Sequence, residues 1–129
     1  MENEFIVRTL GQFQGYRTRL KEMHWSSPSM DIHTLTDEMT KVLEGFEDSL
    51  AEISIALWGE IKPGDLIVKS SNDYDFRDIL KAIHGKAIEI KRCCEEGGLL
   101  WSGIGGITDT FIADVEAIIF KTNLSYKTV

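Results

Sequence analysis

Apolar side chains recur every three or four residues along most of this sequence, a period that belongs to helices and not to sheets. The clearest run lies between Met30 and Trp58, where Leu35, Met39, Val42, Leu43, Phe46, Leu50, Ile53 and Leu57 share one stripe about 100° wide. Only two prolines occur in 129 residues, Pro28 and Pro63, and both fall where the stripes break. An earlier stripe, Ile6, Leu10, Phe13, Leu20 and Met23, predicts α1 over residues 3–25. Turn formers at 26–29 then start α2, predicted over 30–58 and ended by Gly59.

Phe76, Ile79, Leu80, Ile83, Ala87, Ile88 and Ile90 predict α3 over 74–96, stopped by Gly97-Gly98. Phe111, Val115, Ile118 and Ile119 predict α4 over 107–124, and Gly103, Gly105 and Gly106 read as a flexible stretch before it. Residues 59–73 are the long connection, with Ile67-Val68 suggesting a short extended segment. About 15 residues can span roughly 50 Å, enough to return along a whole helix. The expected fold is one all-α domain over 1–129: a ferritin-like four-helix bundle, up-down-down-up, with one crossover connection at 59–73, a connectivity these lengths permit alongside simple up-down-up-down.

Charge and composition narrow the function classes. With 14 basic and 21 acidic residues the net charge is -7, a field that repels a phosphate backbone, so no nucleic acid is expected as a partner. No apolar run approaches the roughly 20 residues a bilayer requires, and Met-Glu-Asn-Glu-Phe-Ile does not read as a leader. The expectation is a cytoplasmic protein with no membrane partner. Cys93 and Cys94 are adjacent, which implies no disulfide framework; one is expected to pack inward and the other toward an edge. His84 reads as a hydrogen-bonded structural residue, and Arg17, Arg19, Lys21, Lys86, Lys91 and Arg92 as solvated helix faces.

The residues that carry chemistry lie on α2. His33 and Asp37 form one i, i+4 pair, and Asp48 and Glu52 a second one 11 residues further on. At 100° per residue all four fall in one sector opposite the apolar stripe, and the two pairs sit roughly 16 Å apart along the axis. One ion cannot bridge that gap. The spacing makes sense if α2 crosses a second copy of itself antiparallel, with the two-fold axis between Val42 and Leu43, so that residues whose numbers sum to 85 face each other. His33 then meets the partner subunit's Glu52, Asp37 the partner's Asp48, and Lys41 the partner's Glu44.

Facing carboxylates repel unless a cation lies between them. A mixed oxygen and nitrogen set suits iron, with manganese or zinc as substitutes. His24, at the end of α1, can complete each site. The inferred cage is His24, His33 and Asp37 from one chain with Asp48 and Glu52 from the other.

Residues 20–59, from Leu-Lys-Glu-Met-His-Trp through Ile-His-Thr-Leu-Thr-Asp-Glu to Asp-Ser-Leu-Ala-Glu-Ile, resemble the signature of the mini-ferritins, the Dps family, in compact form. The resemblance implies an inter-subunit ferroxidase site with His24, His33, Asp37, Asp48 and Glu52 as ligands. Trp25 is then the neighbouring aromatic that supplies an electron to a reactive oxidant, its default role being to pack at the helix end. It also implies that Asp109 and Asp114 on α4 line iron-entry pores and that the homo-oligomer is at least a two-fold dimer and up to a dodecamer. The expected reaction is oxidation of Fe(II) to Fe(III) by hydrogen peroxide or dioxygen, for iron sequestration and peroxide detoxification. The rival expectation is a non-enzymatic ferritin-like assembly protein with a structural or vestigial metal site.

Overall fold

The computed structural model describes residues 2–127, with side chains over 3–126. Four α-helices follow in order: α1 Glu2–Ser26, α2 Met30–Trp58, α3 Phe76–Gly97 and α4 Ser102–Lys127, the last preceded by one 3-10 turn, Gly98–Trp101. No strand forms among the described residues.

Local chemistry sets most of the boundaries. Ser29 has extended backbone angles and its hydroxyl accepts from Ile32 N–H at 3.1 Å, the arrangement that starts a helix. Gly59, at φ 105, closes α2 with its N–H on Ile55 O, a backbone conformation that costs glycine nothing. Asp75 caps α3 by accepting from Arg77 N–H at 2.9 Å.

The helices share one core. α1 packs on α2, α2 on α4, and α4 on α3, which also touches α1. At the centre Phe46 of α2 stacks on Phe111 of α4, with ring centroids 4.1 Å apart, and Phe13 of α1 lies against both. Glu38, near the start of α2, pairs with Lys121 near the end of α4, whereas Trp58 at the end of α2 meets Trp101 just before α4 begins.

The start of α4 differs from expectation. Residues 103–106 are helical, because tertiary contacts outweigh the low helix propensity of glycine. Trp101 and Ile104 are buried on either side of Gly103, and Gly105 is buried on the side facing Cys94. Ile88 is a second difference: it lies exposed, since the buried stripe of α3 is Ile79, Leu80, Ile83, Ala87, Ile90 and Cys94.

The crossover at 59–75 is extended without forming a strand, and it lies against α1. Lys69 N–H donates to Gly11 O at 3.1 Å. A Cβ at Gly11 would collide with Ile67 O, and one at Gly15 with Lys69 O, so only these glycines let the connection lie on the helix. Arg19 anchors its far end, donating to Ser71 O at 2.7 Å and stacking on Tyr74.

Three expected solvated cations are thus structural. Arg19 holds the crossover, Arg17 faces buried Glu47, and Lys86 is only 9% exposed, its ammonium over the Phe5 ring and hydrogen-bonded to Glu89. Long aliphatic stems allow such residues to bury their length while their heads find a partner.

Candidate metal centre

His24 ends α1 and His33 begins α2, and the three-residue turn between the helices brings them face to face. Their rings stack at 3.8 Å between centroids, tilted by 21°. Each ring is tied to the other residue's backbone: His24 Nδ1 donates to His33 O at 2.8 Å, and His33 Nδ1 donates to His24 O at 2.7 Å. A carbonyl oxygen only accepts, so each Nδ1 carries a proton, and it is in the neutral form of each ring that Nε2 holds a lone pair. That is the protonation a metal-binding imidazole needs, fixed by a backbone hydrogen bond on its other nitrogen. Thr36, buried one turn beyond His33, completes the arrangement by donating to His33 O at 2.8 Å while its oxygen lies 3.2 Å from His24 Nδ1.

Asp37 follows one turn along the same face, half-buried. Its carboxylate is engaged by Lys41, Nζ to Oδ2 3.1 Å. This hydrogen bond, with the ammonium charge behind it, holds the Asp37 carboxyl below its ordinary value. Asp48 and Glu52 are exposed further along α2. The single chain therefore gathers the two histidines and leaves the other carboxylates apart. No group of three or more His, Cys, Asp or Glu side chains able to hold a metal ion forms among the described residues.

The face that carries these residues is open. Thr34, Lys41, Glu44, Gly45, Asp48 and Glu52 are all exposed, opposite buried Met39, Leu43 and Leu50. Beside it runs a cleft of about 400 Å³ between α2 and α4, lined by Lys41, Gly45, Gly106 and Asp114 among others.

Trp25 does not pack at the helix end as its default role would have it: it is 72% exposed, because the turn at 27–29 passes directly into α2 and offers its indole no wall. Asp109 and Asp114 are both exposed but look different ways. Asp109 pairs with Lys91 of α3 at 2.9 Å, and Asp114 borders the cleft toward α2. His84 accepts the structural role expected of it, 2.9 Å from Glu116. Cys94 is buried and Cys93 lies at the edge, and burial raises the thiol pKa of both, so neither is activated as a nucleophile.

Glu47 was not singled out by sequence. It is 5% exposed, and Arg17 Nε approaches its Oε2 at 2.5 Å, although neither of these atoms has a well-directed hydrogen bond. Burial pushes its pKa up to about 7, against the lowering influence of Arg17. The available signal was its position four residues after Leu43 and three before Leu50, inside the apolar stripe. Thr36 carried a weaker one, three residues after His33.

No family model matches the chain, and neither does any curated protein or solved structure.

Proposed function

We propose that this protein is a Dps-like ferroxidase that binds Fe(II) as substrate between two subunits and oxidises it, serving iron sequestration and peroxide detoxification. The observation that carries the reading is the stacked His24–His33 pair, with each Nδ1 held by the other residue's carbonyl, which leaves Nε2 of each ring as the nitrogen a metal would take. Two imidazoles in that state are costly to orient by chance and have no use for their remaining nitrogens inside the chain.

The fold proposed with it is the up-down-down-up four-helix bundle. The Glu38–Lys121 and Trp58–Trp101 contacts support opposite directions for α2 and α4, and the crossover, held along α1, has the length and placement to return the chain. The uncovered face of α2 supports the second element, a two-fold pairing about Val42 and Leu43 that would bring the partner subunit's Asp48 and Glu52 to His24, His33 and Asp37. Small or polar residues at the crossing, Gly45 above all, allow close approach.

In this reading the carboxylates neutralise the cation and favour the ferric product, while the neutral imidazoles fix geometry. Two ferrous ions each give up one electron, and one hydrogen peroxide takes both together with two protons to leave two waters. Exposed Trp25 beside His24 is placed to give an electron to a stray oxidant. A dodecameric shell would hold the ferric product as mineral, with Asp109 and Asp114 on its entry route.

A single observation favours the rival, an assembly protein with a vestigial site: Lys41 already occupies Asp37. Adding ferrous iron and peroxide to metal-free protein separates the two. The Asp48→Ala, Glu52→Ala double variant, altered only at exposed positions, should oxidise iron at least about tenfold more slowly than wild type, a loss typical of removing metal ligation. Equal rates would leave only the assembly reading.

A further inference from the structure

Asp37 is the proposed ligand whose charge is already answered within its own chain. Lys41 reaches back one turn to it, the acid preceding the base, which is the favourable order on a helix. The lysine itself is exposed and stands at the lip of the cleft between α2 and α4. Glu44, the next acid along that face, is exposed, and no ion pair to it forms among the described residues. Under the two-fold pairing, Lys41 of each chain faces the partner subunit's Glu44.

We propose that Lys41 is a built-in counter-cation that occupies Asp37 in the single chain and moves to the partner subunit's Glu44 on pairing, so that assembly opens Asp37 to the metal ion. This rests on the two-subunit reading above. The physical reason is charge. A divalent ion on Asp37 would sit within a few ångströms of the Lys41 ammonium, and at that range like charges repel even near a protein surface. Handing the ammonium to Glu44 removes the repulsion and leaves every carboxylate with a cation: Lys41 for the partner's Glu44, the metal for Asp37 and the facing Asp48. The coupling is reciprocal by thermodynamic necessity, so metal ions must favour pairing as strongly as pairing favours the metal.

Cobaltous ion, followed by its visible absorption, serves as the probe, with sedimentation velocity reporting pairing at each protein concentration. In wild type, cobalt affinity should rise as the protein is concentrated through its pairing range. Lys41→Met should raise the affinity of the dilute, unpaired chain by about two- to fivefold, the range expected for losing one exposed ion-pair competitor, and flatten the concentration dependence. Glu44→Gln should lower the affinity of the paired form. Lys81→Met, an equal charge change on α3, should do neither. If Lys41→Met binds cobalt as wild type does at every concentration while the Asp48→Ala, Glu52→Ala variant loses binding, the switch is wrong and the site stands. If that double variant also binds cobalt like wild type, the shared site falls and the switch with it.

Discussion

Burial, more than any neighbouring charge, sets the protonation of Glu47. Its carboxyl is raised from 4.5 to about 7 although Arg17 pulls the other way. The folded state therefore holds a proton that the unfolded chain releases between those two values, and stability must fall as pH rises through that window and level off above it. A neutral isostere removes the penalty. Glu47→Gln, which has no carboxyl to ionise, should lose the decline between pH 5 and pH 7. Urea denaturation midpoints across that range check it, and a variant that declines in parallel with wild type would refute the assignment. The histidine pair makes a second residue-scale prediction: nitrogen chemical shifts should report both rings protonated at Nδ1, and a proton on either Nε2 would close that lone pair to a metal. Neither feature could be read in full from the sequence. Position 47 falls within the arc of the apolar stripe, but an acidic side chain there gives no sign that it is buried or that Arg17 reaches it from another helix, and the spacing of His24 and His33 says nothing of which carbonyl each ring finds.

The same division holds for whole elements. α2 could be read to the residue, because an N-cap serine and a terminal glycine are local signals. The beginning of α4 could not, since what makes residues 103–106 helical is the burial of Trp101 and Ile104 against other helices. The seat of the crossover was equally hidden: Gly11 and Gly15 look like weak points of α1 until the backbone of Ile67 and Lys69 is found resting on them. Magnitudes decide what substitution does there. Ala gains about 1 kcal/mol over Gly in an open helix, yet forcing a methyl into an occupied space costs about 1–3 kcal/mol. Gly11→Ala and Gly15→Ala should each lower stability, whereas Gly85→Ala, where a Cβ meets nothing, should raise it. Thermal melting of the three variants tests the contrast, and stabilisation by all three would mean that the crossover does not lie on α1.

At the scale of the whole molecule the decisive quantity is what covers the polar face of α2. The sequence placed His33, Asp37, Asp48 and Glu52 on one side of that helix, and the structure leaves that side open with its carboxylates separated. A chain with net charge -7 does not gather more acid without compensation, so two such faces can meet only if Lys41–Glu44 contacts and shared cations offset the repulsion of the facing aspartates. Removing metal should therefore weaken pairing, because the facing aspartates are then left with no cation between them. Gly45 permits a sharper test. A Cβ added there meets nothing within 4 Å in its own chain, yet it stands close to the proposed two-fold axis. Gly45→Arg should melt like wild type, sediment as a single subunit and oxidise iron no faster than the Asp48→Ala, Glu52→Ala variant. If it pairs normally, α2 is not where the subunits meet, and five donors drawn from two chains cannot surround one ion.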